Sequence, residues 1–190
     1  MKIEKPCTKC IISNYRRKIV IGRGDVPARL LFIGEAPGKT EDLLGTVFIG
    51  AAGQLLDKMI LDAVNLANYC PSYYITNCLR CRPANKKFGD NREPSPIEIL
   101  NCMDNLMSIY YLVDPEVVVF IGKVAEEFYK REFRTYRTVT HPAALLRGGG
   151  AASPYYLSNI NVLLKVFLSL KESQNGKEEK SNSYKIKKDT

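Results

Sequence analysis

Four short runs of apolar and β-branched residues punctuate the chain: Leu30 to Ile33, Tyr73 to Thr76, Val117 to Ile121 and Arg137 to Thr140. Each has the length and composition of a buried strand, and longer stretches with helical spacing separate them. From Ala52 to Tyr69, the residues Leu55, Leu56, Met59, Ile60, Ala63 and Leu66 recur at i, i+3, i+4 intervals, which puts them on one face of a helix. A second helix is predicted to begin at Ser95-Pro96-Ile97-Glu98, where Ser caps, Pro is tolerated in the first turn and Glu completes a capping box. Weaker helical signals cover Val124 to Tyr129 and about Pro154 to Leu170. Lys171 to Thr190 is polar and Lys-rich, which predicts a frayed, disordered end.

Strands alternating with helices require parallel crossovers. The predicted architecture is therefore a three-layer α/β/α sandwich around a central four-stranded parallel sheet, one domain over residues 1–170 followed by a tail over 171–190. Sheets of this kind hold ligands at the carboxyl ends of their strands. The first strand runs into Gly34-Glu35-Ala36-Pro37-Gly38 and the second into Asn77. Gly122-Lys123 follows the third, and His141-Pro142, with the only histidine of the chain, follows the fourth. A carboxylate, an amide and an imidazole are thus expected on one rim, a set suited to a small planar polar ligand and to a developing oxyanion. Phe48, between Gly45 and Gly50, has the setting of an aromatic that stacks on a base. Singly, each of these residues also has a plain structural reading; their shared placement is what points to a site.

Composition narrows the setting. The chain has 190 residues, 45% hydrophobic and 25% charged, enough for one domain with a sizeable core. No apolar run approaches the roughly 18 to 20 residues of a membrane span, and Met1-Lys-Ile-Glu-Lys does not resemble a signal peptide, so a cytoplasmic, intracellular protein is expected. The net charge is +8, and residues 1–23 alone carry seven basic residues against one acid. A basic N-terminal arm beside a near-neutral domain fits a polyanion such as nucleic acid as partner.

Of the six cysteines, Cys7 and Cys10 form one Cys-x-x-Cys pair and Cys78 and Cys81 another; Cys70 and Cys102 stand alone. Metal ligation is a better reading than disulfides in such a chain. By spacing alone the two pairs suggest zinc, although the 67 residues between them far exceed the roughly 15 to 20 of a zinc ribbon.

Longer motifs then come together. Ala28-Arg-Leu-Leu-Phe-Ile-Gly-Glu-Ala-Pro-Gly is followed by Glu41-Asp42 and by Gly45-x-x-Phe-Ile-Gly-x-Ala-Gly-Gln-Leu-Leu. Tyr74-Ile-Thr-Asn-x-x-x-Cys-Arg-Pro, Ser95-Pro-x-Glu, Cys102 and His141-Pro-Ala-Ala-Leu-Leu-Arg147 complete the series. In this order and spacing, over roughly residues 7 to 170, the sequence closely resembles the iron–sulfur uracil-DNA glycosylases, family 4 of that superfamily.

The resemblance implies excision of uracil from DNA, with the base rotated out of the stack into a pocket. It assigns Asn77 to the uracil edge, Phe48 to stacking and His141 to the departing oxygen as a neutral donor. Gly34, Ala36 and Pro37 fall in the base-binding loop. Ala36 occupies the position where the best-known branch has a water-orienting Asp, leaving Glu35 as the nearest group to polarise water. Glu41 is placed near the 5 position of the base, where it would help to reject thymine. Leu145 corresponds to the side chain pushed into the helix, and Arg147 to a phosphate contact. Cys7, Cys10, Cys81 and Cys102 are implied as ligands of a [4Fe-4S] cluster, with zinc as the alternative. Arg16, Arg17, Lys18, Arg80, Arg82, Lys86 and Lys87 would flank a DNA backbone. The expected protein is a monomer acting on uracil-containing DNA, in contact with replication or repair proteins. Its rival is a non-catalytic DNA-binding or replication-associated protein of the same fold. Two departures stand out: Val47 replaces a Pro that usually precedes the stacking aromatic, and Lys86-Lys-Phe-Gly-Asp lengthens the stretch between Cys81 and Cys102.

Overall fold

The structure, a computed structural model, describes residues 7–186, with side chains through residue 176. Eleven regular elements lie in it besides two 3-10 turns. In chain order they are β1 (Arg23–Gly24), β2 (Leu30–Gly34), α1 (Lys39–Leu44), α2 (Ala51–Ala67), β3 (Tyr73–Asn77) and α3 (Pro96–Val113), followed by β4 (Val117–Ile121), α4 (Lys123–Tyr129), β5 (Tyr136–Val139), α5 (Pro142–Arg147) and α6 (Pro154–Ile186).

The sheet order is β1-β3-β2-β4-β5. β2 pairs in parallel with β3 on one side and β4 on the other, and β5 pairs in parallel with β4. The four expected strands therefore form a parallel sheet, as the alternation required. A fifth, β1, pairs antiparallel with β3 at the edge. Two residues are too few to show a period, so this strand has no signature in the sequence.

Every residue of β2 is buried, because both faces of the sheet are covered. Leu30 and Phe32 join a core with α2 and α6, whereas Leu31 and Ile33 join a second core with α3 and α4. α3 starts where the capping box predicts: Glu98 N donates to Ser95 Oγ at 3.4 Å, and Ser95 N donates to Glu98 Oε2 at 2.9 Å.

The last helix runs to Ile186 instead of ending near Leu170. Its first residues beyond that boundary are tied to the domain. Lys171 Nζ donates to the carbonyls of Ala67 and Asn68, which close α2, and Arg29 donates to Ser173 Oγ and Gln174 Oε1. A polar stretch is held here by partners far away in sequence, which composition does not show. Residues 187–190 of the expected tail lie outside the described residues. Among the described residues, no helix is long and apolar enough to cross a membrane.

Since β2 has β3 on one side and β4 on the other, successive crossovers diverge from it, and the crevice opens at its carboxyl end. Gly34, Asn77, Gly122 and His141 all lie at that end of the sheet.

Candidate active site

A cavity of about 220 Å³ occupies this crevice, a size suited to one heterocyclic ring. Glu35, Ala36, Pro37 and Gly38 line it from the loop after β2. Asn77 lines it from β3, Phe48 and Glu41 from the segment around α1, and His141 from the start of α5. The residues expected to share one rim therefore face one cavity.

Asn77 is 5% exposed, and its Oδ1 has no hydrogen-bond partner among the described residues. An unsatisfied buried amide costs about 1–3 kcal/mol, so its presence asks for a ligand that donates to it. Gly34 is what leaves it room. A Cβ at Gly34 would clash with Asn77 Oδ1 and lie 2.5 Å from Phe48 Cζ.

Phe48 has φ +50, a left-handed conformation that costs a non-glycine residue about 1–3 kcal/mol unless its surroundings enforce it. Arg23 supplies part of that enforcement: its Nε and Nη2 donate to the carbonyls of Val47 and Phe48, each at 3.2 Å. The Phe48 carbonyl also lies so close to α2 that only Gly53 fits beneath it. Val47, in place of Pro, donates its N–H to Ile21 O at 3.2 Å, a bond that Pro could not make. The loop is thus pinned by hydrogen bonds.

His141 caps α5: its Nδ1 accepts the Ala143 N–H at 3.1 Å. With Nδ1 used as acceptor, the proton of the neutral ring sits on Nε2, which is left as a donor. Burial, reinforced by nearby Arg147, pushes the His141 pKa below its ordinary range, so the ring is neutral at pH 7. Glu35 is half-buried; burial raises its pKa and the negative charge of Glu93 adds to the rise.

Glu41 lines the cavity, but its carboxylate is engaged. Oε2 accepts from Gly38 N at 3.1 Å, while Oε1 accepts from Ile49 N at 3.1 Å and Gly50 N at 2.8 Å. It ties the β2 loop to the loop bearing Phe48, a positioning part that differs from the thymine-rejecting one expected.

Leu145 does not reach DNA in this conformation. It is 1% exposed, inside the core with α2 and α6, whereas its neighbour Leu146 is 42% exposed. Successive residues of a helix point about 100° apart, so only one of the two faces solvent. Arg147 is exposed beside Leu146.

The basic residues also divide. Arg17, Lys18, Lys86 and Lys87 are exposed. Arg82 is 4% exposed and, contrary to expectation, unavailable to a DNA backbone: it pairs with Asp42, itself 2% exposed, at 3.4 Å. Arg82 Nη1 also donates to Gly89 O at 2.9 Å and Asn91 Oδ1 at 3.1 Å. Arg80 Nη1 donates to Asn105.

Pro83, Asn91 and Arg92 also line the cavity without having been singled out from sequence. Arg92 is fixed by two bonds to Glu98, at 2.8 and 2.6 Å. The Glu98 capping box was the one available signal, since a carboxylate at a helix start attracts a cation.

Cys7, Cys10, Cys81 and Cys102 line a second cavity, of about 640 Å³, between the N-terminal arm and α3. Cys78 does not line this cavity; it is buried behind it, in the core with α3 and α4 that also holds Cys81 and against which Cys10 and Cys102 pack. Cys81 Sγ accepts from Arg16 Nη1 at 3.5 Å, and Cys102 Sγ from Asn105 Nδ2 at 3.8 Å. Burial pushes the Cys81 pKa up to about 11 and raises that of Cys102. Among the described residues, no three His, Cys, Asp or Glu side chains are gathered tightly enough to hold a single metal ion.

The model of the uracil DNA glycosylase superfamily matches residues 21–165. A type-4 uracil-DNA glycosylase of Archaeoglobus fulgidus is 39% identical over 137 residues, which is 70% of this chain and 65% of that protein. One from Saccharolobus solfataricus is 33% identical over 165 residues, 75% of this chain and 73% of that protein. A third, from Thermotoga maritima, is 34% identical over 125 residues, 66% of this chain and 61% of that protein. Since the superfamily model covers most of the chain and the Saccharolobus solfataricus relative is matched over 73% of its own length, the chain belongs to the uracil DNA glycosylase superfamily and, within it, to the type-4 uracil-DNA glycosylases.

Proposed function

We propose that this protein hydrolyses the N-glycosidic bond of deoxyuridine in DNA, releasing uracil and leaving an abasic site. The observation that carries the proposal is the unpartnered Asn77 Oδ1, buried in the same cavity as Phe48, Glu35 and His141. The uracil imide N–H is the donor this acceptor lacks, and the amide N–H₂ of Asn77 can donate to the adjacent carbonyl. Phe48 stacks on the ring. As the bond breaks, negative charge gathers on the base, and His141 Nε2–H donates to the oxygen that receives it. Glu35, as carboxylate, orients water towards the electron-poor sugar carbon. Glu41 positions the two loops that hold the base. Leu146 takes the helix-filling part expected of Leu145, and Arg147 contacts phosphate.

Incubation with a uracil-containing oligonucleotide is expected to give an alkali-labile abasic product. An intact strand under excess protein would support the rival, a binding protein of the same fold. Activity should also depend on pH with a defined sign. Acidification protonates both Glu35, whose pKa burial raises, and His141, whose pKa burial lowers, and protonation of His141 breaks the Ala143 N–H contact with Nδ1. Excision is therefore expected to be level through neutral pH and to fall below the ordinary imidazole range. Glu35→Gln should lower the plateau by about 10²-fold and leave a single acid limb, that of His141. A rate that rises on acidification would overturn both roles.

The four thiols of the larger cavity fit a [4Fe-4S] cluster as a donor set, and Arg16 and Asn105 supply N–H···S contacts of the kind that stabilise sulfur charge. Such a cluster, when bound, would cross-link the arm to α3 and supply no redox step to hydrolysis. Cys81→Ala and Cys102→Ala are expected to lose iron, and Cys78→Ala to keep it. Iron lost from Cys78→Ala alone would overturn the assignment. Zinc in place of iron would show as a colourless protein without visible absorbance.

A further inference from the structure

The segment Lys86-Lys-Phe-Gly-Asp, which lengthens the chain between Cys81 and Cys102, is built around an exposed aromatic. Phe88 is 69% exposed and has φ +87. A bulky residue in that region of backbone is an outlier, and its cost persists only where the surroundings dictate it. Here they do. Arg82, buried below, holds the Gly89 carbonyl at 2.9 Å, Gly89 N donates to Lys86 O at 3.0 Å, and Lys39 pairs with Asp90 at 2.7 Å. The loop is thus fastened on both sides while its largest apolar side chain is turned to water.

Cations surround the ring. The Arg17 guanidinium lies over it at 4.8 Å and the Lys87 ammonium at 5.9 Å from its centroid, with Lys86 exposed alongside. Asp90 is paired with Lys39, so it does not cancel this field. Pro83 on one side of the loop and Asn91 and Arg92 on the other line the small cavity. An exposed aromatic amid cations is the combination by which proteins hold unpaired nucleic acid: the ring stacks on a base and the cations follow the phosphates. Among the described residues, two aromatics then have left-handed backbone: Phe48, which lines the base cavity, and Phe88, on the loop whose flanking residues line it.

We propose that Phe88 is a second base-stacking side chain, which takes an unpaired nucleobase neighbouring the extruded one, with Arg17, Lys86 and Lys87 on the adjoining phosphates, and so favours single-stranded over duplex substrate. The substrate assignment rests on the uracil-excision reading; the stacking itself does not. Phe88→Ala is expected to weaken binding of a uracil-free single-stranded oligonucleotide about tenfold, within the range for loss of one stacked base. It should raise KM on single-stranded uracil substrate by a similar factor with kcat unchanged, and change KM on duplex little. Phe88→Tyr should restore both, Phe88→Leu neither, and thermal unfolding should show no loss of stability in any of them. Quenching of 2-aminopurine placed beside the uracil should appear with Phe88 and Tyr and vanish with Ala. Unchanged single-strand affinity in Phe88→Ala would overturn the proposal and leave the face to a protein partner. Equal rescue by Leu and Tyr would overturn stacking. If the wild-type protein bound single strands through Phe88 but excised no uracil, the excision reading would fail and the stacking would stand.

Discussion

Asn77→Asp is expected to slow single-turnover excision of uracil by about 10²- to 10³-fold, the usual effect of removing one preorganised donor from a buried site, while DNA affinity changes less than about threefold. The amide offers the imide edge of uracil both an acceptor and a donor. An ionised carboxylate offers acceptors only, and it places a negative charge beside a base that must leave as an anion. Asn77 is 5% exposed, so water would screen that repulsion poorly. If exposed cations such as Arg17, Lys86 and Lys87 set the affinity, as proposed, its salt dependence should be that of the wild type. Measurement of excision under excess enzyme, beside anisotropy with a uracil-free oligonucleotide, separates the two. Equal losses in both would mean that Asn77 holds the fold of the rim and does not read the base.

What the sequence revealed and what it hid follow from the range of the forces involved. β2, β3 and β4 are legible because burial on both faces leaves short apolar runs, the edge strand β5 through its β-branched Thr138 and Val139, and α3 because its capping box closes within four residues. The rim residues are legible because the sheet rule places strand ends together without side-chain detail. α1 and α5, at six residues each, are too short to display a period. The choice between Leu145 and Leu146 depends on the rotation of a one-and-a-half-turn helix against α2, and the motif alone does not fix it. The engagements of Glu41 and Arg82 are not legible for one reason: a charged side chain in a polar sequence suggests solvent or a ligand, but here their partners are backbone N–H groups, a carbonyl, Asn91 and Asp42, brought in by the fold.

Arg82→Met is expected to lower unfolding stability by about 3–5 kcal/mol, the range for removing one member of a buried ion pair. Asp42 would be left without its guanidinium partner while only 2% exposed. Its Oδ1 would still accept from Arg17 N at 2.8 Å and, more weakly, from Lys18 N at 3.5 Å, but Oδ2 would lose Arg82. The same change frees Gly89 O and Asn91 Oδ1, so the Phe88 loop and one wall of the base cavity loosen together. Asp42→Asn is expected to cost less, since an amide still accepts from the arm and leaves only the guanidinium short of a partner. Combining the two changes removes the unpaired charge, so Asp42→Asn with Arg82→Met should be more stable than Arg82→Met alone. That reversal identifies an ion pair, because a side chain that merely filled space would give additive losses. Denaturant midpoints of the three variants at neutral pH test it. A loss below about 1 kcal/mol for Arg82→Met, the level of an exposed pair, would mean that arm, α1 and loop are joined by other contacts.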